Sequence, residues 1–325
     1  MRIMTISPQT LAPDNLHQYR RELTGYCYRM LGSGFEADDA VQETLVRAWR
    51  AADGFEGRSS VRSWLYRIAT NVCLDMLRGR ERRARPMELG PSSPPEEHFL
   101  GASLPESRWV SPIADDRVVP PDADPAEIAA ARETIRLAFV TALQHLPARQ
   151  RAVLILCEVL RWQATEVAEL LETSVPAVNS ALQRARATLA AVPREERPSA
   201  VDDDQHELLS RYVDAFERYD VQALVTLLHE DAIQSMPPFA MWIKGAEAIG
   251  QWLLGPGAGC RGSRLLPTHA NGAPAFAQYR VDPLGGHSPF SLQVLEISDG
   301  RITGFHAFLD PHLFPAFGMP THLPE

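Results

Sequence analysis

Trp64, Arg67, Asn71, Asp75 and Arg78 stand three, four, four and three residues apart, so at about 100° per residue they line one side of a helix. An indole, an amide and two guanidinium groups on one side suit unpaired nucleic acid. The ring stacks on an unstacked base, the amide reads a base edge and the cations bind phosphate. A lone helical Trp is also a common core residue, and an arginine run at a helix end also complements the last carbonyls. Charge separates these readings: residues 58–85 hold eight arginines against Asp75 and Glu81, an excess of six in a chain whose formal net charge is -9. A local basic patch in an acidic protein marks a nucleic-acid footprint. The helix that must hold it is predicted from Leu65, Ile68, Ala69, Val72 and Met76, which form one apolar stripe. Tyr66 falls on the far side and is assigned to packing.

The segment before it, EADDAVQETLVRAWR, predicts an acidic helix. Val41, Leu45, Ala48 and Trp49 share a face that should point inward, while Glu36, Asp39, Glu43, Arg47 and Arg50 take the opposite one. That outer face is free for a protein partner. Downstream, LPARQRAVLILCEVLRWQATEVAELLETSVPAVNSALQRARATL carries the punctuation of a helix-turn-helix: a helix over 163–171, a turn at 172–174 and a helix over 175–190. Val178, Leu182, Ala185 and Leu189 make the buried stripe of the last helix. Asn179, Gln183 and Arg186 are left on one exposed edge, with Ser180 and Arg184 beside them, as major-groove readers. Residues 146–189 hold five arginines against four glutamates, so this module alone should bind DNA weakly.

The order of DDAVQETLVRAW, SWLYRIATNVCLDMLR and the helix-turn-helix segment resembles the extracytoplasmic-function sigma factors of the sigma-70 class. The C-terminal part of the chain resembles a SnoaL-like cone, and the combination is similar to the SigG-like actinobacterial group. The resemblance implies a multidomain chain of two all-α sigma domains, the second with the helix-turn-helix, followed by an α+β SnoaL-like cone. It implies core RNA polymerase and promoter DNA as partners. In the family the first domain binds the β′ clamp helices and opens the -10 element, and the second binds the β flap and reads the -35 element. Carried onto this sequence, Asp38, Asp39, Gln42 and Glu43 fall in the clamp-docking segment. The loop 55–60, with Arg58, and Trp64, Arg67, Asn71 and Arg78 fall in the -10 segment. Asn179, Ser180, Gln183, Arg184 and Arg186 occupy the -35 helix. Many relatives carry arginine at the positions of Asn179 and Ala181, which implies less phosphate grip and a different preferred sequence here.

Residues 1–85 then form the first sigma domain, 86–125 a linker, 126–191 the second sigma domain, 192–204 a shorter linker and 205–325 the cone. A length of 325 residues fits two or three domains. Residues 86–125 hold nine prolines, eight acidic side chains and two arginines, a composition that resists helix and builds no core. The segment is expected to be a tether, either plain or, as the resemblance implies, threading toward the active-site and RNA-exit channels of polymerase, with Trp109 as a docking anchor. In the cone, helices are predicted at 205–219, 221–229 and 246–254, and strands at 275–281, 290–297 and 301–309. Helices first and an antiparallel sheet later make an α+β layer.

His229, Asp231, His306 and Asp310 are the cone residues that could move a proton, but nothing in their spacing gathers them. No catalytic residue and no cofactor is expected. No metal is expected either, because Cys27, Cys73, Cys157 and Cys260 lack ligand spacing and read as reduced, mostly buried thiols. Trp242, Tyr279, His306 and Phe308 are the candidates for a pocket or an interface. No apolar run approaches the roughly 18 residues that span a bilayer, and the first residues lack a signal-peptide core, so a cytoplasmic protein with no membrane partner is expected. The leading reading has the cone contact and modulate the sigma modules, the first before the second. A small ligand of the cone and a separate anti-sigma protein stay open as further partners. A helix-turn-helix regulator with a ligand-sensing cone, and a cone with enzymatic activity, are the alternatives.

Overall fold

The computed structural model describes residues 16–55, 57, 59–191 and 203–324. Arg58, and all but the last two residues of the expected 192–204 connector, lie outside the described residues. The chain divides into two compact units, one of residues 1–83 and 115–193, the other of 84–114 and 194–325.

In the first unit, helices α1 (Arg20–Leu31), α2 (Gly34–Arg50) and α3 (Val61–Met76) carry the first module. Their ends follow local chemistry. α1 stops at Gly32, whose φ of 73° makes the left-handed cap that other residues avoid. Ser33 and Ser60 cap α2 and α3, their hydroxyls accepting from Glu36 N at 3.3 Å and Ser63 N at 3.0 Å. α1 and α3 share a core in which Tyr26 meets Tyr66 edge-on at 5.2 Å and its hydroxyl lies 2.7 Å from Thr70 Oγ1. Cys27 and Cys73, far apart in sequence, come together there as buried free thiols. The hydrogen bond with Cys27, then burial, hold the Cys73 thiol well above its ordinary pKa, which makes it unreactive.

The second module follows with α4 (Pro125–Glu133), α5 (Leu137–Gln144), α6 (Ala148–Leu154), α7 (Ala164–Leu170) and α8 (Val175–Ala191). α7 and α8 form the expected helix-turn-helix, with Glu172 at a φ of 51° reversing the chain between them. The two modules pack against each other inside this unit. Buried Arg29 donates from Nε to Thr134 O at 3.1 Å and from Nη2 to Thr134 Oγ1 at 2.6 Å. Arg151 donates to Gln144 Oε1 at 2.6 Å, to Leu146 O at 3.1 Å and to Met30 O. Burial pulls each guanidinium down to about 10. Near neutral pH both stay charged, solvated by carbonyl, amide and hydroxyl oxygens in place of water.

The second unit is an α+β cone. Its helices are α9 (Asp203–Glu217), α10 (Val221–Leu227) and α11 (Ala246–Leu254). Its strands are β1 (Leu228–Ser235), β2 (Trp242–Lys244), β3 (Arg264–Ala270), β4 (Ala273–Val281), β5 (His287–Ser298) and β6 (Arg301–Phe308). They form one sheet in the order β2-β1-β6-β5-β4-β3, with β1 and β6 parallel and the other pairs antiparallel. The helices cover one face, where Leu208, Tyr212, Phe216 and Trp252 meet Phe276, Leu295, Ile297 and Phe305. Each such side chain contributes about 1.5–3 kcal/mol on burial. The predicted helix 221–229 ends at Leu227, and β1 begins at Leu228. Pro267 interrupts the strand pattern of β3 and hides it from the periodicity; at the edge of the sheet a missing N–H costs no ladder bond.

The proline-rich segment is not a free tether. Residues 84–114 belong to the cone's unit and run over it as a strap. Ser93 N donates to Trp242 O and Leu104 N to Pro238 O, both at 2.8 Å, and Asn271 N donates to Ile113 O at 3.1 Å. The strap also closes on itself, with Ala84 N donating to Arg108 O at 2.8 Å. Trp109, Val110, Ile113 and Ala114 are buried, so Trp109 is a core residue and not an exposed docking anchor. Composition misleads for this segment because its few apolar residues cluster at one end and find a core that another part of the chain supplies.

Candidate nucleic-acid and protein-docking surfaces

On α3, Arg67 and Asn71 are exposed, as a DNA-facing row requires; Arg78, expected on the same helix side, is exposed two residues past the end of the helix at Met76. Trp64 is not. It is 8% exposed and its ring lies tilted on Phe55 at 4.8 Å, so in this arrangement it packs against Phe55 and does not present its ring to a base. Trp64→Ala is expected to destabilise the fold by about 3–5 kcal/mol, read as a drop in the denaturant midpoint. A midpoint within experimental error of the parent would restore Trp64 to the DNA face.

Part of the arginine run serves the fold. Arg83 is buried 2.9 Å from Glu36, and Arg80 also pairs with Glu36. Arg78 keeps an exposed partner, Asp75, at 3.2 Å. Neighbouring residues of α3 are covered by the second module. The Arg62 guanidinium lies 5.3 Å from the Tyr66 ring and 5.5 Å from the Trp162 ring, Tyr66 and Trp162 are 5.1 Å apart, and Arg67 is 3.7 Å from Glu172. In this arrangement one flank of α3 is closed.

On α8 all five expected readers, Asn179, Ser180, Gln183, Arg184 and Arg186, are exposed. Arg184 donates to Ser180 Oγ at 2.6 Å and Arg186 from Nε to Glu158 Oε1 at 3.1 Å. Both are surface pairs worth less than about 1 kcal/mol, so either arginine can turn to phosphate at small cost.

On α2 the buried stripe is Ala37, Ala40, Val41, Thr44 and Ala48. Asp39 and Gln42 are exposed, Glu43 pairs with Arg47 at 2.6 Å and Asp38 pairs with Arg117. Trp49, expected inside, is 59% exposed. Asp39, Gln42, Val46 and Trp49 recur at three, seven and ten residues, so they share a face. The signal that could have found this is the run of small residues in the buried stripe: a helix packed this closely has no room for an indole.

In the cone, the four candidate proton carriers are scattered. His229 and Asp231 sit together on β1, where His229 Nδ1 accepts from Asp231 N at 3.2 Å and Asp231 pairs with Lys244 at 3.1 Å. Asp310 pairs with His312 at 2.9 Å. His306 is buried on the sheet face away from the helices, in the row Ser235, His306, Val294 and Ala275. Tyr279 and Phe308 are buried, and Tyr279 meets Phe314 edge-on at 5.0 Å. Trp242 is half-buried and donates from Nε1 to Gly90 O of the strap at 2.8 Å. On the helix-covered face four neutral polar side chains are bonded in a chain. Tyr212 OH donates to Gln293 Oε1 at 2.7 Å, Gln293 Nε2 to Gln278 Oε1 at 2.9 Å, and Gln278 Nε2 to Ser263 Oγ at 3.0 Å. Burial raises the Tyr212 hydroxyl well above its ordinary pKa, the reverse of what a proton carrier needs. Among the described residues, no group of three or more His, Cys, Asp or Glu is arranged to hold a metal, and no helix is long and apolar enough to cross a membrane.

Comparison with known proteins agrees with this layout. Residues 16–83 match the model for Sigma-70 region 2, residues 136–189 that for Sigma-70, region 4, and residues 209–305 that for a SnoaL-like domain. The chain is 48% identical over 316 residues to the ECF RNA polymerase sigma factor SigG of Mycobacterium tuberculosis, across 94% of this chain and 83% of that one. It is 29% identical over 183 residues to the ECF RNA polymerase sigma factor SigW of Bacillus subtilis, across 54% of this chain and 85% of that one. The crystal structure of the Mycobacterium tuberculosis extracytoplasmic function sigma factor SigJ aligns with 95% of this chain and 99% of its own, with a TM-score of 0.59 at 22% identity, a likeness of fold.

Proposed function

The chain belongs to the extracytoplasmic-function sigma factors, which bind core RNA polymerase and recognise promoters to initiate transcription, and we propose that its cone regulates that activity from within the same chain. One observation carries the reading: the segment joining the two sigma modules, residues 84–114, is docked on the cone. A connection held in this way limits how the modules it joins can part. They must part to work, because Trp162 and Glu172 of the second module lie against Arg62, Tyr66 and Arg67 of the helix assigned to the -10 element. A cone that binds the strap more or less tightly shifts the population of the open arrangement.

Within the first module, Asp38, Asp39, Gln42 and Glu43, with Trp49 beside them, form the polymerase-docking face. Arg67, Asn71 and Arg78 meet the melted -10 strand, and Asn179, Ser180, Gln183, Arg184 and Arg186 read the -35 element. A sigma factor is not an enzyme in the usual sense, and the neutral hydrogen-bond chain inside the cone supports a regulatory domain over a catalytic one. The working place is then the cytoplasm, where polymerase and promoter meet.

Run-off transcription with core polymerase tests this reading. The full chain should direct specific initiation, and the double change Asp39→Lys with Glu43→Lys should weaken core binding at least tenfold while leaving the melting temperature unchanged, since exposed charges contribute little to stability. Unchanged affinity for core enzyme would remove α2 from the docking surface. A chain that binds its operator tightly without polymerase would favour a conventional regulator.

A further inference from the structure

Arg85 stands at the start of the strap and is its one buried charged side chain. It is 7% exposed, with Nη2 donating to His306 Nε2 at 3.0 Å and lying 3.4 Å from Glu296 Oε1. His306 Nδ1 is in turn 2.8 Å from Ser235 Oγ. A guanidinium only donates, so His306 Nε2 is the acceptor and Nδ1–H is left to donate to Ser235. Three adjacent strands contribute: Ser235 from β1, His306 from β6 and Glu296 from β5, with Ser235 opposite His306 and Glu296 opposite Gly304. Gly304 makes the room. A Cβ there would sit 2.8 Å from both Glu296 Oε2 and His306 Nε2, so any other residue would push apart the two groups that receive the cation.

We propose that the face of the cone sheet away from the helices carries a guanidinium-binding site, and that Arg85 is the occupant that latches the strap. The inference rests on the reading of the cone as a regulator and deepens it by naming the contact that is made and broken. The other strap bonds to the cone are neutral: backbone bonds from Ser93 and Leu104 and the Trp242 Nε1 bond to Gly90 O along its middle, and the paired Ile113–Asn271 bonds with buried apolar side chains at its far end. Arg85 supplies the charged, directional contact at the near end, next to the last residue of the first sigma module. Taking a buried cation from its carboxylate leaves an uncompensated charge, so the latch holds firmly when closed and is lost as a whole when either partner is removed. A free ligand bearing a guanidinium group is the chemical class that competes for the site.

Amide hydrogen exchange on the full chain tests the latch without reference to transcription. In Arg85→Ala, the amides of Ser93, Leu104 and Val110 should exchange about 100-fold faster, the effect of losing a buried charged contact, while those of β4 and β5 keep their rates. His306→Ala should act in the same direction. Methylguanidinium at millimolar concentration should leave strap exchange unchanged in both variants, because the tether is gone, but in the parent chain it should accelerate it by competing with Arg85. Unchanged strap exchange in Arg85→Ala would overturn the proposal. So would uniform acceleration across the cone, which would make Arg85 a fold residue and not a latch. A freed strap with unaltered transcription would leave the latch standing and defeat the regulatory reading instead.

Discussion

Asn71→Ala is expected to reduce open-complex formation by about 10- to 100-fold, the worth of one good base-edge contact, while closed-complex binding changes less than twofold. The asymmetry follows from the position of Asn71. Its side chain is exposed on α3, four residues after exposed Arg67, and the proposed -10 contact gives it a base only after the strands separate. Exposure also protects the control: an exposed helical Asn→Ala change moves stability by only about 0.5 kcal/mol. Permanganate footprinting of the melted region, set beside a mobility-shift titration of the holoenzyme on closed DNA, separates the two steps. Equal losses in both would move Asn71 out of the -10 contact and into general DNA affinity.

Trp49→Ala should weaken core polymerase binding by about 30-fold, since a central interface Trp typically contributes about 2 kcal/mol or more. The melting temperature should hold, because the ring is 59% exposed and makes no core. Its neighbours explain why so large an apolar group stands in water. Asp39 and Gln42 share its face of α2, so on the proposed docking face the polar groups would select the partner and the indole would supply the buried area. A direct titration of labelled protein with core enzyme gives the answer. An affinity within twofold of the parent would leave the docking face to its charged residues alone.

The two tryptophans also show where pattern ends and packing begins. Amphipathic spacing puts Trp64 outside and Trp49 inside, and the fold reverses both. Each lies near the boundary of its apolar stripe, where periodicity allows either side. The choice is made by Phe55, which covers Trp64 from a loop nine residues away, and by the small buried stripe of α2, which leaves Trp49 no space.

Local pattern alone was enough for α2, α3, the two helices of the helix-turn-helix with five exposed polar residues on α8, and the later strands of the cone. Those features rest on information within one or two turns: the apolar period and the serine caps of α2 and α3. Tertiary structure alone decided that Cys27 meets Cys73, that Trp162 covers Arg62 and Tyr66, and that a proline-rich segment is a strap latched by Arg85 to a histidine 221 residues away. No local rule reaches these. The buried guanidinium meets an acceptor and a glycine gap on β6 and a carboxylate on neighbouring β5, and the order of those strands is set by the whole sheet closing at once.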